Sequence, residues 1–166
     1  MEIERRFIVN DVSNLNLQQY EHKQIVQNYL YKDEFTAIRK RKTIENNNIV
    51  YSYTVKTNKV GFSVNEIEQV ITAEQYNNLK LNDSFNTIDK TRYLIPFTNN
   101  LTIELDVFNG NFSGIAFAEI EFESEEQASN ITLPSWFGSE ISNTITNSDM
   151  ASMPINQIFK KIQEVH

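Results

Sequence analysis

With 166 residues and 40% apolar content, the chain has the size of one domain (1–166) with a substantial core. A formal charge of −7 has the wrong sign for a nucleic-acid coat, and no apolar run reaches the length of a membrane span. There is no Cys, and His22 and His166 are the only histidines, which excludes disulfides, thiolate catalysis and histidine- or cysteine-based metal cages; residues 1–20 lack a signal-peptide core, so a cytoplasmic protein is expected.

Glu2 to Phe7 reads as a strand, followed by a polar loop or short helical turn from Asp11 to Glu21. Gln24 to Tyr31 and Thr36 to Thr43 are the next two strands, the second ending in an Asn46-Asn47-Asn48 turn that forms a hairpin with Ile49 to Lys56. Phe62 to Ile71 is another strand. Thr72-Ala73-Glu74-Gln75 is a capping-box pattern, and it predicts a helix continuing through Tyr76 and Leu79. Three more strands follow at Asp89 to Pro96, Leu101 to Phe108 and Ile115 to Glu123. Ser124 to Asn130 is helical, 134–138 is a loop, and Pro154 to Val165 is an amphipathic helix with Pro at its first turn. About eight strands with short connections and few helices fit an antiparallel barrel or sandwich with the helices outside.

Side chains in a strand alternate between two faces, so charge at i and i+2 accumulates on one of them. Glu2, Glu4 and Arg6 share a face in the first strand, and Arg39 and Arg41 in the third. Lys56 ends the fourth, and Glu66 and Glu68 flank Ile67. Lys90 and Arg92 flank Thr91; Glu104 and Asp106 alternate with Ile103, Leu105 and Val107; Glu119, Glu121 and Glu123 alternate with Ala118, Ile120 and Phe122. Any one of these strands fits an ordinary sheet with its charged face in water. Taken together, the same-sign pairs repel unless something is bound between them. If the sheet closes, the charged faces line its lumen and the apolar faces pack outward. The basic side chains would then grip a polyanion, with Arg binding phosphate oxygens bidentately, and the carboxylates would hold a hard divalent cation such as Mg²⁺ or Mn²⁺.

Glu2-Ile3-Glu4-Arg5-Arg6 resembles the E-x-E-x-K signature of the CYTH superfamily, the triphosphate tunnel metalloenzymes. The resemblance continues in order through Gln27-Asn28-Tyr29-Leu30 (Q-G-Y-L), Ile38-Arg39-Lys40-Arg41 (V-R-V-R), Thr54-Val55-Lys56 (T-I-K) and Lys90-Thr91-Arg92-Tyr93 (K-T-R-Y). Further along, Glu104-Leu105-Asp106-Val107-Phe108 is similar to E-x-D-V-F and Ala118-Glu119-Ile120-Glu121 to A-E-I-E. Pro134, Trp136 and Gly138 match P-x-W-x-G, and 147–151 resembles N-x-x-L-A. The first signature alone is weak; nine in order, from Glu2 to Ala151, are strong.

The resemblance implies an α+β fold built on an eight-stranded antiparallel β-barrel that forms a tunnel for a triphosphate and a divalent metal. It implies hydrolysis of a small-molecule triphosphate, inorganic tripolyphosphate foremost. A class IV adenylyl cyclase and a catalytically weak triphosphate-binding module remain open, as does a homodimer, and no nucleic-acid or membrane partner is expected. Position by position, Glu2, Glu4, Asp106, Glu119 and Glu121 become metal ligands or their supports, and Arg39, Arg41, Lys56, Lys90 and Arg92 hold the phosphates. Glu66, Glu68 and Glu104 also face the lumen. The signature Lys is Arg6 here, and Arg does not surrender its proton. Arg6 is therefore expected to clamp phosphate and assist Tyr29, the Tyr of Q-G-Y-L, with a metal-activated water as the other candidate nucleophile. Val64 stands where many members carry Arg, which removes one cation from the tunnel. Trp136, Phe108, Phe112 and Phe117 are read as packing residues, His22 as a surface residue, and Ile155, Ile158, Phe159 and Ile162 as the buried stripe of the last helix.

Overall fold

A computed structural model describes residues 1–60 and 62–165. His166, counted above among the histidines, lies outside the described residues. The elements in chain order are β1 (Glu2–Ile8), β2 (Glu21–Lys32), β3 (Thr36–Glu45), β4 (Asn48–Val60), β5 (Ser63–Ile71), α1 (Ala73–Asn78), β6 (Ile88–Pro96), β7 (Thr102–Phe108), β8 (Ala116–Phe122), α2 (Glu125–Asn130), α3 (Asn147–Ser152) and α4 (Ile155–Glu164). The eight strands close into an antiparallel barrel in the order β1-β5-β4-β3-β2-β6-β7-β8.

Local chemistry accounts for the joints. Asn46 and Asn47 both have positive φ (49° and 68°), which the β3–β4 hairpin needs and Asn tolerates. Thr72 caps α1 by accepting from the Gln75 N–H, and the Gln75 side chain accepts in return from the Thr72 N–H. A Cβ at Gly138 would lie 2.8 Å from the Ile8 carbonyl oxygen, so only glycine lets the 134–138 loop donate its N–H to that oxygen at 2.7 Å.

Barrel closure is uneven. β1 pairs with β8 from Ile3↔Phe122 to Ile8↔Phe117, but with β5 only through Glu2↔Val64 and Ile3↔Ser63. In β2 the register slips between Tyr29↔Arg39 and Tyr31↔Ile38, a bulge that lies beside the charged residues described below.

Two apolar clusters hold the barrel. One joins inward-facing residues at one end (Ile8, Tyr29, Phe108, Phe117) to Ile145, to Met150 and Ala151 of α3, and to Ile158 of α4, with Ile155, Phe159 and Ile162 packed against it. Phe112 belongs to the same cluster. The other backs the outer face of β7, β8 and β1 (Ile103, Leu105, Ala118, Ile120), where Trp136 and Phe137 also pack. Phe108 and Phe117 are thus core, as expected, but on the inner side of the wall. Complete burial of a side chain of this size contributes on the order of 2 kcal/mol. Short α3 was not expected as a helix. Its sign was nevertheless in the chain: Thr146 and Asp149 form a second capping box.

Candidate active site

Strand alternation and register bring the charged positions to one surface. Directly paired residues point to the same side of an antiparallel sheet. The pairs Glu4↔Glu121, Arg6↔Glu119, Glu104↔Glu119, Arg92↔Asp106, Tyr29↔Arg39, Gln27↔Arg41, Thr54↔Glu68 and Lys56↔Glu66 carry one continuous inner face around the barrel. Arg6, Arg39, Lys90, Arg92, Asp106 and Glu119 on that face are all buried. Burying so many charges is tolerable only where partners compensate them.

Those partners divide the expected site residues into groups. Glu2, Glu4 and Glu121 each offer an oxygen, and these oxygens lie within 4.8 Å of one another. One Glu4 oxygen is buried and meets no hydrogen-bond donor among the described residues. Burial, together with hydrogen bonds to Glu4 and Glu66, pushes the Glu2 carboxyl far above the ordinary range; for Glu4 and Glu66 burial acts upward, but the hydrogen bond to Glu2 and the charge of Lys56 hold both down. Glu121 is pushed up to about 7 by burial and then by Glu104, Glu119 and Glu4. Crowded carboxylates that cannot all be charged fit a hard divalent cation, which would take the place of the retained proton. Lys56 lies beside this trio, its Nζ 3.2 Å from both Glu2 Oε1 and Glu66 Oε2.

Asp106 and Glu119 stand apart from the trio, each held by cations. Lys90 Nζ donates to Asp106 Oδ2 at 2.6 Å, and Arg92 donates to the same carboxylate through Nε (2.7 Å) and Nη2 (2.9 Å). Arg92 also pairs with Glu104. Arg6 donates to Glu119 Oε2 through Nε (3.1 Å) and Nη2 (2.7 Å), and to the Ile145 carbonyl at 3.3 Å.

A basic wall covers β2, β3, β4 and β6. Burial lowers the Arg41 pKa to about 9, with Arg39 and Arg92 adding repulsion, and lowers that of Lys90 to about 7 against the pull of Asp106. Burial also works against the Arg39 charge, but Tyr29 and Glu66 outweigh it and raise its pKa. The cation beside Tyr29 is thus Arg39. An anion in the lumen would relieve the mutual repulsion of these cations. Arg41 is aimed by Gln27, whose Oε1 accepts from Nε (3.1 Å) and Nη2 (2.9 Å). Gln27 was legible only as part of a motif, and Thr54 likewise; nothing in the spacing marked either as a lumen donor.

A cavity of about 310 Å³ is lined by Glu4, Arg6, Tyr29 and Lys56 from the lumen, by Val64, and by Lys32, Phe35 and Asp149. Lys32 Nζ meets Asp149 Oδ1 at 3.3 Å, joining β2 to α3 across it. His22 is exposed, and stacks on Tyr93 outside the barrel. No described helix is long and apolar enough to cross a membrane.

Comparison with known proteins agrees with this geometry. The CYTH domain matches residues 1–147. An inorganic triphosphatase of Nitrosomonas europaea is 35% identical over 91 residues, which span 55% of this chain and 60% of that protein. A crystal structure of an inorganic triphosphatase superposes over 93% of this chain and 96% of its own, with TM-score 0.65 and 27% identity. A Hippeastrum protein described as showing a dominant triphosphatase activity shares the fold (TM-score 0.56, 15% identity, 78% of this chain and 83% of that one).

Proposed function

We propose that this chain, which belongs to the CYTH domain family, hydrolyses a triphosphate held in the barrel lumen, with inorganic tripolyphosphate as substrate and Mg²⁺ or Mn²⁺ as cofactor. The observation that carries this reading is the segregation of charge inside one closed ring. Carboxylates crowd on β1 and β8, while Arg41 on β3 and Lys90 on β6 are cations whose charge is disfavoured by burial and by neighbouring cations. A polyphosphate bridged to a divalent cation neutralises both at once. The likeness to the Nitrosomonas europaea inorganic triphosphatase supports the choice of substrate.

Glu2, Glu4 and Glu121 are assigned to the metal. Bound there, the cation would neutralise charge developing on the phosphoryl oxygens. Arg39, Arg41, Lys56, Lys90 and Arg92 hold and orient the phosphates, with Arg6 as a further clamp. Asp106 and Glu119 act as supports, because their lone pairs already fix Lys90, Arg92 and Arg6. The Tyr29 phenol lines the cavity beside Arg39, where it can orient the attacking water. The chain does little covalent chemistry; fixed charges positioned before the reaction do the work. Removing one of them costs roughly 2–4 kcal/mol of transition-state stabilisation, by analogy with oxyanion donors.

The test is a substrate panel of tripolyphosphate, thiamine triphosphate and nucleoside triphosphates, scored for phosphate, pyrophosphate and cyclic-nucleotide products with Mg²⁺ and with Mn²⁺. Phosphate release from tripolyphosphate is expected, and Glu4→Gln and Glu121→Gln should each abolish it while circular dichroism is unchanged. Activity retained in both variants would overturn the metal assignment. Cyclic AMP from ATP as the main product would overturn the hydrolase, and tight binding without turnover would reduce the protein to a binding module.

A further inference from the structure

The basic wall carries more than cations. Gln27, Arg39 and Thr54 lie on neighbouring strands β2, β3 and β4, are 0%, 4% and 1% exposed, and face the lumen. Arg39 and Thr54 are direct cross-strand partners. Gln27 Nε2, Arg39 Nε and Nη1, and Thr54 Oγ1 are buried without a hydrogen-bond partner among the described residues. Buried polar atoms in folded proteins are nearly always satisfied, so several orphans in one patch call for a ligand.

Their chemistry says which kind. The Gln27 amide cannot be turned over, because two Arg41 N–H groups already donate to Oε1, and a swapped NH₂ would face them donor to donor. Nε2 therefore presents hydrogens to the lumen. The Arg39 nitrogens can only donate, and a Thr hydroxyl can donate freely. By contrast, the orphaned Glu4 oxygen is an acceptor and belongs to the carboxylate trio on the β1–β8 side. The oxygens of one anion accept from all of these atoms together.

We infer that Gln27 and Thr54, with Arg39, form a phosphate-oxygen cradle that binds a polyphosphate without any metal, and that the divalent cation completes the site rather than creating it. This rests on the triphosphatase reading above and deepens it. Two uncharged donors thus contribute to a site that the alternation of charges along the strands does not mark. Because Gln27 also aims Arg41, it acts as a positioning residue in addition to contacting the ligand.

The experiment is calorimetric titration of inorganic tripolyphosphate into the full chain after metal has been stripped on a chelating resin. Wild type, Thr54→Val, Thr54→Ser and Gln27→Met are compared, with melting temperatures measured without ligand. Hydrogen bonds to charged groups are strong enough that Thr54→Val and Gln27→Met should each weaken metal-free binding roughly tenfold or more. Thr54→Ser keeps its hydroxyl and should stay within about twofold of wild type. Thr54→Val should melt no lower than wild type, because it removes an unsatisfied buried hydroxyl without changing the shape; a purely structural role would lower it. Binding that is unchanged in both weakened variants, or that appears in wild type only with metal, would overturn the cradle while leaving hydrolysis by wild type intact. If wild type neither binds nor turns over tripolyphosphate, the functional reading fails first.

Discussion

Lys90 and Asp106 face each other across β6 and β7 with Nζ 2.6 Å from Oδ2, the lysine wholly buried and Arg92 gripping the same carboxylate. Burial alone would raise the Asp106 pKa, but Arg92 and Lys90 hold it well below the usual carboxylate range. The carboxylate is therefore charged; it is the main compensation for the buried Arg92 cation and supports the Lys90 charge against burial. Asp106→Asn should cost about 3–5 kcal/mol of stability, the usual price of stranding a buried charge. Denaturant unfolding in chelator measures it. A residue that served the metal alone would leave that stability unchanged.

Arg6 is locked by Glu119 and the Ile145 carbonyl; burial acts to lower its pKa, but the charges of Glu119 and Glu4 outweigh it and the net shift is upward. Lysine reaches one of the two acceptors, not both. Arg6→Lys should lose about 1 kcal/mol of stability, from the missing hydrogen bond, while phosphate release persists or rises. Steady-state kinetics beside a thermal melt separates the two effects. Complete loss of turnover in a folded variant would contradict the clamp assigned to Arg6.

Lys40 lies between Arg39 and Arg41 in sequence but on the opposite face. Its Nζ donates to the carbonyls of Tyr76 (3.0 Å) and Leu79 (2.9 Å), closing the C-terminal end of α1, and lies 4.2 Å from the centre of the Tyr76 ring. Lys40→Met should lower stability by about 1–3 kcal/mol, through two carbonyls left without their donor. Its kcat for tripolyphosphate should match wild type, in contrast to Arg39→Met or Arg41→Met, which should lose turnover. A matching loss of kcat in Lys40→Met would place this lysine in the site.

Asp149 titrates outside the lumen. Burial acts to raise its pKa, but the Thr146 N–H, the Lys32 charge and the Thr146 hydroxyl outweigh it, and the net shift is downward. A carboxyl with a depressed folded-state pKa stabilises the fold above its unfolded pKa and loses that contribution as pH falls through the folded value. Asp149→Asn should therefore be about 1 kcal/mol less stable than wild type at neutral pH, and the gap should narrow below about pH 4. Chemical denaturation across pH 3 to 8 reads this directly. A gap that widens on acidification would reverse the sign.

Much of the barrel was readable because its rules are local. Thr72 with Gln75, Ser124 with Gln127, and the Asn46-Asn47 turn announce their joints through residues no more than three positions apart. α3 is as short as α1 and α2, and its one local sign was the Thr146–Asp149 pair, which carries Asp where the usual capping box has Glu or Gln. The split of the five expected carboxylates was not readable at all. Asp106 and Glu121 look alike in their strands, each flanked by apolar neighbours, yet one meets Lys90 and Arg92 while the other meets Glu2 and Glu4.

The chain by itself determined which side chains share a face, because a strand repeats every two residues and that needs no partner. Tertiary structure decided that the charged faces turn inward and which charges meet. Register between strands joins Arg6 to Glu119 across 113 residues and leaves Gln27 and Thr54 with unmet donors, and register is set by closing the whole ring, not by any single segment.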